Sequence, residues 1–432
     1  MLLAIHTISI LNTKLINIGI FAYGLLLYAG HIWRGMVEAL LEFAVNKEEM
    51  KKLLILSTLC AMVIACEKPE PAKPICVHTD PVPVAPKATN GDEYLYSITV
   101  NDLDFFAAGE VIKKFFEMND ASPVGCSAVR IGKYYGRNLD YYVNKNADFI
   151  IRTSASNARF ASIGTSADYP RCLKESIDNG TLTDEDYAAI AYYMLDGINE
   201  KGVAINVNVV PCGECKRTTG TNPGAPDVVT SGVVRYVLDH ATSVENAIDL
   251  LEGINIVIPS EEKFPFEVHW MISDANRTVC VEIWDNELVI VEDNVMTNFY
   301  VSHPDTEMGT GHERYEVLKA HLDEGTSIDG MHGLMKRAWY SNAYSTKTDP
   351  LWYSEFLSDG CGFTWSDIKA GRVERAYAYI SAAESLYGSV EYQKSKRTSE
   401  YWYTTHSIIY DLEARTMSLV AQENDTVWEF AL

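Results

Sequence analysis

The chain has 432 residues, 47% of them apolar, with 36 basic against 59 acidic side chains and a formal net charge of −23. That length and apolar content are ample for a large core, and length alone leaves room for roughly one to three domains. The acidity, with no clustered Lys/Arg stripe, argues against nucleic acid as a partner and for a soluble, self-repelling surface.

Residues 1–30 are mostly apolar and are broken by Lys14. A better-formed signal follows at 50–66. Met50, Lys51 and Lys52 give a basic start, a short apolar run comes next, and Val63-Ile64-Ala65-Cys66 closes it. The run is too short for a membrane span, and the arrangement resembles a bacterial lipoprotein signal peptide, cut before Cys66 and acylated on its thiol. A chain so modified is exported and sits in the periplasm or at a membrane surface. This reading takes Met50 as the start and 1–49 as an extension, with a transmembrane helix over 15–33 as the alternative. Residues 67–92 are proline-rich without periodicity and read as a tether. Residues 93–125 read as a propeptide, with one amphipathic helix over 102–118.

The richest stretch is 125–142, GCSAVRIGKYYGRNLDYY. It places Cys126 after a glycine, and Arg137 and Asp140 follow in what reads as a strand and tight turn. Paired short strands bring a thiol, a guanidinium and a carboxylate together. A free cysteine has a pKa of about 8.5, and a neighbouring arginine favours the thiolate and lowers it. A cut between Gly125 and Cys126 would give Cys126 an α-amine of pKa about 7.7–8.0, a useful general base at neutral pH. Asp140 is placed to accept a hydrogen bond from that amine. The thiol itself is the group that attacks the Gly125 carbonyl, and glycine tolerates the strain.

Downstream, short alternating runs predict strands at 148–156, 202–210, 269–273, 278–285, 287–293 and 406–412. Helical spacing predicts helices at 184–195, 243–252, 312–322 and 370–386. The nine cysteines form no regular framework. Cys212 and Cys215 lack a second ligand pair, so no metal is expected, and they read either as a local disulfide or as two free thiols. The Gly/Thr/Pro-rich loop 215–232 and the aromatic-rich insert 338–365 are candidate pocket walls, or a surface insertion and core packing respectively. No Gly-rich phosphate loop is seen, and no cofactor is expected.

The residues at 125–142 resemble the start of the mature chain in the choloylglycine hydrolase family, linear-amide hydrolases with an N-terminal cysteine nucleophile that include bile salt hydrolases and penicillin V acylases. Five further blocks resemble the family in order: DGINEKGVAINVNVVP (196–211), the helical segment 233–259, the strand meander 269–298 ending in Thr-Asn, AGRVERAYAY (370–379) and the closing hairpin 404–419. The resemblance implies an α+β fold, a four-layer αββα sandwich over 126–432. It implies Cys126 as nucleophile, Arg137 and Asp140 as the pair that tunes and orients it, and Asn298 as an oxyanion donor. Asn208 is the second donor, with Asn206 on the same strand face as its alternative. Arg372 is a second arginine near the nucleophile, with Arg375 as its alternative. The activity implied is hydrolysis of small-molecule linear amides without a cofactor, conjugated bile salts or related N-acyl amino acids first and penicillin V second, in a homo-oligomer by family analogy. The short gap between Cys126 and Arg137 departs from the usual family hairpin. A non-catalytic surface lipoprotein that binds ligand is the reading from another class.

Overall fold

The computed structural model describes residues 74–84, 94–118, 125–142, 147–167, 173–210, 218–219, 222–259, 267–304, 311–338, 402–421 and 426–432. The extension 1–49, the signal peptide with Cys66, the Cys212–Cys215 loop, nearly all of the aromatic insert and the expected helix 370–386 with Arg372 and Arg375 lie outside the described residues.

In chain order the strands are β1 Val77–His78, β2 Val82–Pro83, β3 Tyr94–Asn101, β4 Gly125–Ile131, β5 Tyr134–Tyr142, β6 Ala147–Thr153, β7 Ser162–Ala167, β8 Met194–Asn199 and β9 Ala204–Val210. They continue with β10 Asp227–Val229, β11 Asn255–Val257, β12 Glu267–Ser273, β13 Thr278–Trp284, β14 Glu287–Val291, β15 Val295–Met296, β16 Trp402–Asp411, β17 Thr416–Ala421 and β18 Val427–Ala431. The helices are α1 Phe105–Met118, α2 Lys174–Asn179, α3 Asp184–Tyr192, α4 Val233–His240, α5 Val244–Glu252, α6 His312–Ala320 and α7 Ile328–Arg337. Local chemistry sets several starts. Thr183 and Asp186 form a capping box on α3, and Ser243 and Ser327 cap α5 and α7.

The larger sheet runs β1-β3-β6-β7-β8-β9-β12-β13-β14, and the smaller runs β15-β4-β5-β16-β17-β18. Within these two sheets neighbours are antiparallel except β3 and β6, which are parallel, and β10 and β11 form a separate parallel pair. Three apolar clusters define the layers. One packs Ile98, Phe149, Ile205, Trp270 and Val281 of the larger sheet against Ile112, Ile190, Val237 and Leu251 of helices α1, α3, α4 and α5. A second joins the facing sheets through Ile150, Ile198, Ala204 and Met271 on one side and Ala128, Tyr135, Ile408 and Met417 on the other. A third packs Val129 and Ile409 against Leu318, Leu334 and Met335 of α6 and α7. The four-layer αββα sandwich is therefore the fold. Burial on both faces explains why strands such as β7 and β8 are buried at every residue.

The segment expected to be a propeptide is part of this architecture. Residues Tyr94–Val100 are rich in aromatic and β-branched side chains, which suit a pleated surface. They form β3, paired with β6 from Tyr94↔Ala147 to Thr99↔Arg152. Ile98 and Val100 are buried, as are Ala108, Ile112 and Phe116 of α1. Even the proline-rich stretch read as a tether contributes β1 and β2, both paired to β3.

Candidate active site

The β4–β5 hairpin turns at Gly132, whose φ of 58° is a left-handed conformation that glycine adopts without strain. Its register sets Cys126 opposite Leu139 and Ala128 opposite Arg137. Arg137 is thus the diagonal same-face neighbour of Cys126, within reach of a long side chain. Its Nη2 donates to Cys126 Sγ at 3.2 Å, and its Nη1 donates to Asp196 Oδ2 at 2.5 Å. Asp196, on β8 of the facing sheet, also accepts from Thr165 Oγ1 at 2.8 Å and from the Tyr410 hydroxyl. The carboxylate therefore aims the guanidinium at the sulfur from across the sandwich. Close packing holds Asp196 in turn. A Cβ on Gly164 would lie 2.1 Å from the Asp196 carbonyl oxygen, so β7 and β8 approach as they do only because residue 164 has no side chain.

The backbone of Cys126 is gripped as well. Its N–H donates to Asn298 Oδ1 at 3.1 Å, and its carbonyl accepts from Arg314 Nη1 at 2.8 Å. Arg314, on α6, also donates from Nη1 to Asp140 Oδ2 and from Nη2 to Asn298 Oδ1, each at 2.5 Å. Thr404 Oγ1 donates to the other Asp140 oxygen at 2.6 Å. Asp140 alternates with Leu139 to the opposite face of β5 and reaches Cys126 through Arg314. Gly311 opens α6 at φ 84°, and a Cβ there would meet Arg314 Nη2 at 2.8 Å, so glycine leaves the room this guanidinium uses.

The expected oxyanion donors are engaged elsewhere in the uncut chain. Asn298 Nδ2 donates to the Val209 carbonyl at 2.7 Å, while its Oδ1 faces the two donors just named, which fixes the amide's orientation. Asn208 Nδ2 donates to the Thr297 carbonyl at 2.8 Å, and Asn208 Oδ1 accepts from Asn206 Nδ2 at 2.6 Å. Asn206 Oδ1 takes the Tyr135 hydroxyl. The two strand asparagines thus share one face and one hydrogen-bond chain.

Arg137 was expected to lower the Cys126 thiol pKa. Burial outweighs it. Desolvation pushes the thiol above its ordinary value; Arg137 pulls it down, Asp140 pushes it further up and Arg314 pulls it down. Burial likewise raises the Asp140 carboxyl, against the pull of Arg314 and Thr404. Cys126 is 1% exposed. The uncut, folded chain is accordingly expected to resist iodoacetamide at Cys126 at pH 8, by peptide mapping, at least about tenfold against the urea-unfolded chain. Labelling at equal rates in the two states would contradict this geometry.

Cys126, Arg137, Asp140, Asn206, Asn208 and Asn298 thus come together, joined by Arg314, Asp196 and Thr404, to which the sequence reading assigned no role. Asp196 opens the DGINEKG block and carried a signal there. Arg314 carried none, being one arginine on an otherwise ordinary helix. Among the described residues no group of three or more His, Cys, Asp or Glu side chains is arranged to hold a metal ion.

The model of the linear amide C–N hydrolases, choloylglycine hydrolase family, matches residues 126–332. No curated protein matches the chain. Solved structures similar to it include a mutant conjugated bile acid hydrolase from Clostridium perfringens, at 17% identity and TM-score 0.40 over 71% of this chain and 92% of that one. Another variant of that enzyme has 17% identity and TM-score 0.38 over the same shares. Penicillin V acylase from Agrobacterium tumefaciens is similar at 16% identity and TM-score 0.36, over 71% of this chain and 86% of that one.

Proposed function

Because residues 126–332 match the model of the choloylglycine hydrolase family of linear amide C–N hydrolases, we propose that Cys126 is the nucleophile of a cysteine amidase that matures by cleavage of the Gly125–Cys126 bond. The observation that carries the reading is the seating of Cys126. Its sulfur lies 3.2 Å from Arg137 Nη2, and its nitrogen is bound to Asn298, one residue after a glycine.

In maturation, Sγ attacks the Gly125 carbonyl carbon, the C–N bond breaks, and the sulfur's proton passes to the departing Cys126 nitrogen. Water then hydrolyses the thioester, leaving a Gly125 carboxylate and a free α-amine on Cys126. In turnover, that amine takes the thiol proton as Sγ attacks the substrate's amide carbonyl, and returns it to the leaving nitrogen. Water clears the acyl thioester. Arg137, held by Asp196, favours the developing thiolate. The Asn208 and Asn298 amides, once turned from their backbone carbonyls, serve the oxyanion. Arg372, outside the described residues, is assigned to the neighbourhood of the nucleophile by the resemblance alone.

The asparagine pair at 208 and 298 favours conjugated bile salts or related N-acyl amino acids as substrates, with penicillin V as the second reading. Lipidation of Cys66 would place the precursor at a membrane surface after export. Cleavage then breaks the covalent link to that anchor, but β3 and α1 remain built into the larger sheet and its helical layer.

Intact-mass analysis is expected to find a chain beginning at Cys126, with the upstream fragment co-eluting in gel filtration until denaturant is added. The purified protein is expected to release amine from at least one of glycine- or taurine-conjugated bile salts, N-acyl amino acids and penicillin V. A chain that still begins at Cys66 and releases no amine would mark a ligand-binding lipoprotein and overturn the proposal.

A further inference from the structure

Beyond the groups around the sulfur, the inner face of the larger sheet holds a buried His–Glu pair that the mechanism above does not use. His269 on β12 and Glu282 on β13 are both fully buried. They stand next in register after the pair Trp270↔Val281. His269 Nδ1 lies 3.2 Å from Glu282 Oε1, and His269 Nε2 lies 2.9 Å from the Thr297 carbonyl oxygen. Both ring nitrogens lie within hydrogen-bond distance of an oxygen, so the imidazole links the Glu282 side chain to the Thr297 backbone. Glu282 also accepts from the backbone N–H groups of Val301 at 2.7 Å and Ser302 at 2.9 Å. Burial raises the Glu282 carboxyl, but His269 and the Ser302 hydrogen bonds hold it below its ordinary value, so it is a carboxylate in the fold.

All these bonds converge on one segment. Residues 295–296 leave the smaller sheet, where β15 pairs with β4 at Val295↔Val129 and Met296↔Ala128. Residues 297–302 then cross to the larger sheet, and Asn298 is the second residue of the crossing. The Thr297 carbonyl, in the peptide unit that carries Asn298 N, takes both His269 Nε2 and Asn208 Nδ2. Glu282 fastens the far end of the same segment. The β15–β4 register, continued by two residues, sets Asn298 opposite Cys126, and the bonds from His269 and to Glu282 fasten the backbone on either side of Asn298.

We propose that His269 and Glu282 are positioning residues, a buried hydrogen-bonded pair that fixes Asn298 against Cys126. The proposal rests on the reading of Cys126 as the nucleophile for its kinetic consequence but not for its structural one, so the two are tested separately. In His269→Phe, backbone hydrogen exchange over 297–302 rises about tenfold or more, as expected for loss of buried hydrogen bonds, while β12 from Trp270 to Ser273 keeps its protection. Self-cleavage before Cys126 slows about 100-fold, the scale of a small misplacement of a reacting group. His269→Gln, which retains a donor for the Thr297 carbonyl, recovers to within about tenfold of the wild type. Combining His269→Phe with Asn298→Ala gives no further loss of cleavage, because both act through one side chain.

Unchanged exchange over 297–302, or losses that multiply with Asn298→Ala, would overturn the proposal. Should the phenylalanine variant fail to fold, Glu282→Gln keeps the shape and an acceptor oxygen, and the same exchange and cleavage criteria decide. A wild-type chain that never cleaves counts against the reading of Cys126 alone, and the exchange measurement then still decides for the pair.

Discussion

Replacing Cys126 by alanine is expected to leave the chain uncut after Gly125 and to lower amide hydrolysis by roughly 10⁴-fold or more, the scale on which removal of a nucleophile falls. The fold should survive. The lost Sγ is one of two partners of the Arg137 guanidinium, and Asp196 keeps the other at 2.5 Å. Cys126→Ser separates the two steps, since a hydroxyl retains the geometry but is the weaker nucleophile, and some cleavage at a much lower rate is expected. Mass spectrometry reads the chain end and amine release reads turnover. Wild-type hydrolysis by the alanine variant would end the assignment.

The largest effect on stability is expected from Arg314→Ala. That guanidinium, 1% exposed, satisfies the Asp140 carboxylate, the Cys126 carbonyl and Asn298 Oδ1 together. Removing one partner of a buried pair leaves the other charge stranded and costs about 3–5 kcal/mol. The exposed pair Arg277–Glu292, by contrast, belongs to the class worth about 0–1 kcal/mol, so Arg277→Ala is the internal control. Arg314→Lys is expected to recover only part of the loss, because an ammonium cannot reproduce the planar fork that reaches three acceptors. Urea unfolding in the uncut Cys126→Ala background measures this without interference from cleavage. A difference below about 1 kcal/mol would mean that Arg314 is not the clamp described.

What could be read from the sequence was set by local spacing. The hairpin that sets Arg137 diagonally across from Cys126 lies within one short stretch with a glycine at its turn, so chemistry and geometry were legible together. Helices α3, α5 and α6 and strands β9, β12 and β13 likewise announce themselves by period. What escaped are contacts between distant positions. Arg314 meets Asp140 and the Cys126 carbonyl across more than a hundred residues, and nothing in the periodicity of α6 separates it from a surface arginine. The direction of the thiol shift was misjudged for a related reason. The arginine is visible in the sequence, but the burial that outweighs it belongs to the assembled sandwich. The place of β3 in the larger sheet escaped because its residues were read as part of a propeptide rather than by their strand-forming composition.

Under the proposed cleavage, β3 would lie on a different fragment from the strand it pairs with. Five of the six residues paired along β3 in β6, from Ala147 to Ile151, are buried, and Phe149 and Ile151 belong to the same cluster as Ile112 and Phe116 of α1. A polypeptide starting at Cys126 would expose a naked row of amides and carbonyls beside an uncovered apolar face, the combination that invites strands from other molecules. The upstream residues thus complete the larger sheet and its helical layer, and under the proposed cleavage they would have to stay in place as a second, non-covalently held chain.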